Sequence, residues 1–351
     1  AATRATASIL ALAAVLATGA PAAAVPPPPD GPAGQAGDTF VTMPGDATSP
    51  PFRRRAFPLP DVPFADLYPI DRGIPPVRAN EPVDADGVPM RVENGRLHAT
   101  PTGITFQGLR RLAAYEATGD RAYLDVVIGW ARRLRTLMRE EGDALWVRIP
   151  WNDADQGLAA PWDNALAQGT ALALYARLHR LTGDPAWLAI ADGLFHGFER
   201  IGPRDGPWVG HVVDGYLWFE HYVKGVRGRV LNAHLYAAFG LRDYWQETRS
   251  PDARLLAEAA FTTVRELGER FRRPGDYSWY NLTDRIAIPG YHRFHIRQLR
   301  AAAVATGDPW FAALADRMLA DRRPPLPVGP RPEAPSVPPD RSPPPSSAPP
   351  P

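Results

Sequence analysis

The sequence contains no cysteine and has no excess of charge of either sign. It therefore has no disulfide framework, which a folded domain of ordinary size does not need even after export. With 39 basic and 38 acidic residues the net charge is +1, which gives no sign of a nucleic-acid-binding surface. There is no P-loop and no nicotinamide-binding glycine motif, so we expect no cofactor. Beyond the N-terminal segment no run is apolar enough to span a membrane.

Proline and small residues mark both ends of the chain. A basic start, a short apolar run and an Ala-rich stretch predict a cleavable secretory signal peptide over residues 1–24, and hence a secreted protein. Residues 25–59 are rich in Pro and Gly and are predicted to be a linker. Residues 322–351 are predicted to be a Pro-rich disordered tail. We therefore expect one folded domain over residues 60–321, long enough to bury a large core.

A weak repeat organises the predicted domain. Helical patterns stop at Gly, and Asp120, Asp184 and Asp308 then start new ones, as helix C-caps and N-caps do. The second gap is about twice the first, which predicts a further unit, found at Asp252. We predict four antiparallel helix pairs over residues 104–319. The first helix of each pair is the more apolar and should be the inner one, so the fold is mainly α, a partial α/α toroid.

Short strands are predicted between the helix pairs. An Asn-Gly pair within residues 85–100 and an Asp-Gly pair within residues 209–219 are hairpin signals, and residues 145–149 form a third candidate strand. We expect these loops to gather on the face where the inner helices begin. Functional residues are expected on that face.

One segment, residues 279–298, holds phenols, imidazoles and guanidiniums around a Pro-Gly turn signal. A tyrosine has an ordinary pKa near 10, and nearby cations would favour its phenolate and make it a base. Alternatively, the tyrosines cap a hydrophobic core and the arginines are solvated. The ionisable residues concerned are Tyr280, Arg285, Tyr291, His292, Arg293, His295 and Arg297.

Polar residues stand at the starts of the predicted inner helices, at positions where a purely structural core would be expected to have apolar side chains. Any one of them could cap a helix, but four at equivalent positions predict a common opening. They are Gln107, Gln168, Asn232 and Gln298. The segment before the third inner helix adds further ionisable and aromatic residues, which alternatively belong to an edge hairpin with solvated charges. These are Trp218, Glu220, His221, Tyr222, Lys224, Arg227 and Arg229.

Several motifs, in order over residues 85–318, resemble those of one enzyme family. The pattern Y-H-x-x-H-I-x-Q-L begins at Tyr291, Y-N-L begins at Tyr280, and V-L-N ends at Asn232. A-Q-G and T-F-Q-G-L come earlier in the chain. Together they are similar to motifs of the D-glucuronyl C5-epimerase family. The family's C-terminal helical domain is an α/α barrel, in agreement with the repeat.

The resemblance implies that Tyr222, Tyr280 and Tyr291 take part in catalysis. We predict a secreted, cofactor-independent epimerase that removes the C5 proton of a glucuronate unit in a polysaccharide and returns a proton on the other ring face, giving iduronate. Tyr291 is the candidate for one face and His221 or Tyr222 for the other. Surrounding Arg, His, Gln and Asn side chains would stabilise the enediolate. The expected cleft is lined by Gln168, Tyr222, Asn232, Tyr280, Tyr291 and His295.

Two positions differ from the family pattern. His221 stands where the family has a catalytic glutamate, and Glu220, one place earlier, is a further catalytic candidate. A group titrating near imidazole's ordinary pKa of about 6.5 is expected if His221 has taken over that role. Thr283 stands where the family has an arginine, and Arg285 follows two places on. The residues predicted to bind substrate are Gln107, Gln168, Trp218, Arg229, Asn232, Arg285, His292, His295 and Gln298.

Two other functions stay open on the sequence: a uronate polysaccharide lyase, and a non-catalytic secreted glycan-binding protein of the same fold. We expect no metal, because His292 and His295 lack a clear third ligand and residues 152–155 do not have EF-hand spacing. The predicted partner is a uronate-containing polysaccharide, and a homodimer is possible.

Overall fold

The computed structural model describes residues 38–63, 73–79, 82–93 and 95–321. The predicted signal peptide and tail lie outside these ranges and stay predictions from the sequence. In the described part of the chain, no helix is long and apolar enough to cross a membrane.

Eight α-helices are present in the described ranges. They are α1 (Pro101–Thr118), α2 (Arg121–Arg135), α3 (Ala165–Thr182), α4 (Pro185–Glu199), α5 (Leu231–Thr248), α6 (Pro251–Leu267), α7 (Pro289–Thr306) and α8 (Trp310–Asp321).

Ten short strands accompany the helices in the same ranges and form four sheets of two or three strands. The strands are β1 (Thr39–Val41), β2 (Phe52–Arg54), β3 (Met90–Glu93), β4 (Arg96–Ala99), β5 (Met138–Glu141), β6 (Ala144–Ile149), β7 (Trp162–Asp163), β8 (Ile201–Gly202), β9 (Gly210–Val213) and β10 (Tyr216–Phe219). The pairs β1–β2, β3–β4, β5–β6, β6–β7 and β9–β10 are antiparallel, and β8 pairs with β9 in parallel.

The helices form the four antiparallel pairs that the repeat predicts. The first helices of the pairs, α1, α3, α5 and α7, pack against one another in chain order, and each second helix packs on its own partner. Helices α3 and α5 are buried over almost their whole length, as inner helices that are apolar on most sides should be. The predicted fold, a mainly α partial toroid, is confirmed.

The residues that end one helix of the repeat and begin the next have the expected structure. Gly119, Gly183 and Gly307 end their helices in the left-handed conformation, with φ near 70°. Asp120 and Asp184 then cap the next helix by accepting a hydrogen bond from a backbone N–H of its first turn. The break between α5 and α6 differs in detail. There Arg249 takes the left-handed position and Ser250 is the N-cap, so that the predicted Asp252 lies inside the first turn of α6.

Helices α3 and α5 cross with their backbones in contact. A Cβ added to Gly240 would lie 2.1 Å from the carbonyl oxygen of Gly169, and a Cβ added to Gly169 would lie 2.5 Å from the Cα of Ala237. No side chain fits at either position, so the two glycines set the distance between the central inner helices.

The strands and loops gather in front of the inner helices. Strand β4 runs directly into α1, the Thr100 side chain caps that helix, and β7 and β10 precede α3 and α5. The backbone N–H of Ala165, at the start of α3, donates to the carbonyl of Glu220, and that of Leu231, at the start of α5, donates to the carbonyl of Tyr280. The loops before α3, α5 and α7 therefore meet at one end of the bundle.

The linker predicted over residues 25–59 is wrong for residues 38–59, which are part of the folded domain. Phe52 and Phe57 are buried in the core among the prolines. The guanidinium of Arg55 pairs with Glu266 at 2.9 Å, on the outer helix α6. A proline-rich composition does not exclude folding where a few aromatic side chains find a surface to cover.

Candidate active site

Three tyrosines from separate loops meet at this end of the bundle. Tyr222 lies in the loop after β10, Tyr280 in the loop before α7, and Tyr291 in the first turn of α7. The hydroxyls of Tyr222 and Tyr280 are 3.5 Å apart, and the ring centroids of Tyr280 and Tyr291 are 4.5 Å apart. Of the predicted cleft residues, the structure brings these three together.

Backbone pairing explains how the loops hold the phenols in place. Val230 and Asn281 form an isolated antiparallel bridge, and the N–H of Tyr280 donates to the carbonyl of Ile286 at 2.7 Å. The loop before α7 is thus pinned to the start of α5 on one side and closed on itself on the other.

Burial, and not the nearby arginines, controls the protonation of the three tyrosines. It raises the pKa of Tyr222 to about 12 and the pKa of Tyr280 well above 10, and it also raises the pKa of Tyr291. Hydrogen bonds from Tyr280 oppose this effect on the pKa values of Tyr222 and Tyr291, and the charge of Arg91 opposes it at Tyr291. Burial outweighs the nearby cations, so the prediction that cations make the phenolate the favoured form is wrong for the free protein, in which all three groups are neutral phenols at neutral pH.

His221 lies against the first of these tyrosines. Its ring centroid is 4.1 Å from that of Tyr222, with the two rings nearly perpendicular. Its Nδ1 is sealed from solvent and has no hydrogen-bond partner among the described residues. Burial lowers the pKa of His221 to about 4, so the expected titration near 6.5 is wrong and the imidazole is neutral at neutral pH.

The carboxylate of Glu220 anchors the loop that carries Tyr222. Its Oε1 lies 2.9 Å from the Nε2 of His211, and its two oxygens accept from the backbone N–H of Arg229 at 3.1 and 2.8 Å. Arg229 itself has a left-handed φ of 56°. Sequence reasoning missed His211, although it lies on the predicted hairpin, opposite Trp218 in the β9–β10 register.

The position where the family has an arginine is used here to join two loops. The hydroxyl of Thr283 accepts from the N–H of Gly228 at 3.1 Å and donates to the Gly228 carbonyl at 3.0 Å. Beside it, Arg227 pairs with Asp284 at 2.9 Å. Arg285, proposed above as a substrate ligand, is partly buried and has a left-handed φ of 51°.

Two of the amides predicted to line the opening lie inside the helical core instead. Gln168 is fully buried: its Oε1 accepts from the N–H of Val147, and its Nε2 donates to the carbonyls of Leu145 and Leu194. Gln298 is fully buried and donates to the carbonyl of Asn232 at 2.9 Å. The predicted opening lined by these amides is therefore wrong. Amides at inner-helix starts are used to satisfy backbone groups of neighbouring strands and helices.

The two histidines of α7 and Trp218 are also core residues. The Nδ1 of His292 accepts from the N–H of Ser278 at 2.9 Å, and the Nδ1 of His295 lies 2.9 Å from the Ser278 hydroxyl. Trp218 packs against His234 with ring centroids 5.0 Å apart. The placement of His295 in the cleft is wrong, because this side chain is fully buried.

Gln107 and Asn232 complete the predicted set. The Oε1 of Gln107 accepts from Arg111, whose guanidinium also donates to the carbonyl of Val77, so the amide serves to hold a loop against α1. Asn232 is 6% exposed in the first turn of α5. Across residues 38–63, 73–79, 82–93 and 95–321 no cluster of three or more His, Asp or Glu side chains is placed to hold a metal ion.

Residues 144–320 match the family model for the D-glucuronyl C5-epimerase C-terminus. The chain belongs to this family. All three clustered tyrosines, together with Glu220 and His221, lie inside the matched segment. The hairpin β3–β4 and helices α1 and α2 lie before it.

Solved structures of several carbohydrate enzymes are similar to this chain at low identity. A GH76 α-mannanase of Bacteroides thetaiotaomicron is 13% identical, covering 67% of this chain and 58% of that one, with a TM-score of 0.45. A cellobiose 2-epimerase of Bacillus thermoamylovorans is 10% identical, covering 63% of this chain and 58% of that one, with a TM-score of 0.44. An unsaturated glucuronyl hydrolase of Streptococcus agalactiae is 14% identical, covering 63% of this chain and 58% of that one, with a TM-score of 0.43. This member of the C5-epimerase family thus spans less than two thirds of the length of each.

Proposed function

We propose that the protein is a cofactor-independent C5-epimerase that acts on glucuronate units of a polysaccharide. The observation that carries the proposal is the contact of three phenols, Tyr222, Tyr280 and Tyr291, within the segment that matches the C5-epimerase family. Epimerisation at C5 needs one group to take a proton and another to return one, and contacting phenols can exchange protons between them.

The proton-transfer step assigns different roles to the phenols. The phenolate of Tyr291 takes the C5 proton; the C–H bond breaks, and its electron pair passes into the carboxylate as an enediolate. The hydroxyl of Tyr222 then gives its proton to C5 on the other ring face and becomes a phenolate. Because Tyr280 contacts both, it returns the proton from Tyr291 to Tyr222 and restores the starting state.

Burial supports this use of tyrosine as a base. A phenolate with a raised pKa is rare at neutral pH but strongly basic once formed, and removing a proton from carbon requires a strong base. The hydrogen bond from Tyr280 favours the phenolate of either neighbour, as does the charge of Arg91 for Tyr291. His221 is neutral and packs on the Tyr222 ring, so it places no charge beside that phenol.

Deuterium exchange tests the proposal directly. The protein is incubated in heavy water with an unsulfated glucuronate-containing polymer, and deuterium at C5 and the ratio of the two uronates are measured. We expect deuterium in both epimers and no ultraviolet-absorbing product. An unsaturated product would assign the chain as a lyase, which starts with the same proton abstraction. Binding without exchange would assign it as a non-catalytic glycan-binding protein. Export and a homodimer stay predictions from the sequence.

A further inference from the structure

The hairpin β3–β4 precedes the segment that matches the family, yet it is held at the same face as the tyrosines. Its register pairs Met90 with Ala99, the residue before the α1 N-cap Thr100. The N–H of Thr100 also donates back to the carbonyl of Pro89. The hairpin is therefore fixed to the start of an inner helix and does not depend on flexible connections for its position.

Arg91 on this hairpin is joined to the tyrosine cluster through two tryptophans. Its guanidinium carbon lies 5.4 Å from the ring centroid of Trp151. The carbonyl of Trp151 accepts from the indole N–H of Trp162 at 2.8 Å, and the Trp162 ring is 6.0 Å from the Tyr222 ring. Stacking on Trp151 orients the planar guanidinium and leaves its N–H edge for other partners.

The guanidinium of Arg91 is exposed, and its charge acts on Tyr291. It is near enough to Tyr291 to favour that residue's phenolate against the effect of burial on its pKa. The side chain is 42% exposed, and its ion pair with Glu93 engages Nη2, one of three nitrogens that carry N–H donors. An exposed pair of this kind contributes little stability and gives way to a better ligand.

We propose that Arg91 binds the carboxylate of the uronate unit whose C5 proton is removed. This inference rests on the proposed function. A guanidinium fork matches a carboxylate, and the negative charge on those oxygens grows as the enediolate forms, so the interaction strengthens toward the transition state. Arg227, whose charge acts on Tyr222 and Tyr280, is already paired with Asp284 across two loops.

The kinetic test compares Arg91→Ala with Arg96→Ala, an arginine on the other strand of the same hairpin that has no role in the proposed site. We expect Arg91→Ala to lose about 10²-fold in C5 exchange, mainly in kcat, and Arg96→Ala to behave as wild type. Added guanidinium ion should restore part of the activity of Arg91→Ala. Exchange by Arg91→Ala within twofold of wild type overturns the proposal, as does a loss that guanidinium leaves unchanged.

A binding test separates this inference from the proposed function. A short oligosaccharide with a single uronate is compared with its carboxyl-reduced form, in which that unit is a neutral hexose. In wild type, reduction should weaken binding about tenfold, and in Arg91→Ala it should have almost no further effect. Equal losses in the two proteins would show that Arg91 does not bind the carboxylate. A third outcome is that wild type binds the uronate oligosaccharide more tightly than its reduced form, Arg91→Ala does not, and wild type exchanges no deuterium. Arg91 would then be a carboxylate ligand, and the proposed epimerase activity would be refuted.

Discussion

At the candidate active site, Tyr222 and Tyr291 both contact Tyr280. Tyr280 is the most deeply buried of the three, and burial raises its pKa well above 10; its hydroxyl lies 3.5 Å from that of Tyr222, and its hydrogen bond also lowers the pKa of Tyr291. A hydrogen bond donated to a phenolate favours the charged form. The two outer phenols therefore share one stabilising donor, and either can ionise while the other stays protonated.

Replacing Tyr291 by Phe should nearly abolish C5 exchange and leave the fold intact. The ring still packs against Tyr280 and Phe294, whereas the proton carrier is lost. Positioned acid–base groups contribute about 10²–10⁴-fold in rate, so the loss is easily measured by deuterium incorporation. Tyr277→Phe, in the same loop but outside the cluster, is the control and should keep wild-type rate. Full exchange by Tyr291→Phe would show that this tyrosine is not the base.

Replacing Tyr280 by Phe should move the pH dependence of exchange to higher pH. Loss of its hydroxyl removes the hydrogen bond that lowers the pKa values of Tyr222 and Tyr291, so both pKa values rise and less phenolate is present at neutral pH. The rate should fall near pH 7 and recover partly as the pH is raised. An unchanged profile, or one displaced to lower pH, contradicts the role of Tyr280 as the shared donor.

At the scale of elements, the loops before the inner helices bring the site together because the helices beneath them are closely spaced. The Gly169–Gly240 contact allows α3 and α5 to touch, and the loops that precede these two helices carry Trp162 and Tyr222. Separation of the two helices would therefore also separate the loops above them.

Gly240→Ala should destabilise the protein by about 1–3 kcal/mol, since the new methyl group meets the Gly169 carbonyl and the backbone must move. Chemical denaturation measures the change. Gly129→Ala is a matched control in the middle of α2, where a Cβ meets nothing within 4 Å. That variant should be neutral or stabilising by up to about 1 kcal/mol, because alanine favours the helix. Equal effects of the two substitutions would show that the α3–α5 contact is not tight.

At the scale of the whole molecule, the segment over residues 38–59 links the last two helix pairs. The backbone N–H of Arg55 donates to Thr262 on α6 at 2.8 Å, and Phe57 packs between Phe261 and Phe311, on α6 and α8. One extended segment thus covers the outside of the last two helix pairs.

The stability of the whole domain should decline as the pH falls from about 6.5 toward 4. Burial lowers the pKa values of His221 and His234 to about 4 and that of His295 to about 3. Below pH 6.5 the unfolded chain takes up protons that the folded protein cannot, and His234 and His295, whose side chains are fully buried, each contribute a slope of up to about 1.4 kcal/mol per pH unit.

Unfolding by denaturant at pH 6.5, 5.5 and 4.5 measures this slope. Gln in place of His234 can accept from Phe219 N–H and donate to the Ala260 carbonyl without titrating, so His234→Gln should reduce the slope. His196→Gln makes the same substitution at a more exposed ring and serves as the comparison variant. A steeper dependence in His234→Gln would contradict the assignment of its pKa.

The helix pairs could be predicted because their signals are local. Glycine after the last helical turn and aspartate before the next act on backbone groups a few residues away, and the apolar pattern of α3 identifies an inner helix from that helix alone. The clustered tyrosines were found through motifs in the sequence. The folded segment over residues 38–59 was missed, because its few aromatic side chains gain stability only against α6 and α8.

Local signals in this sequence determine where the helices begin and end, which of them are inner, and which loops carry Tyr222, Tyr280 and Tyr291. Only the tertiary structure decides that Gln168 and His295 are enclosed, that burial outweighs the arginines in setting the tyrosine pKa values, and that the charge of Arg91 acts on Tyr291. Caps and periodicity depend on neighbours in the chain. Desolvation and Coulomb interactions depend on groups brought close from distant positions, and their balance exists only once the helices have packed.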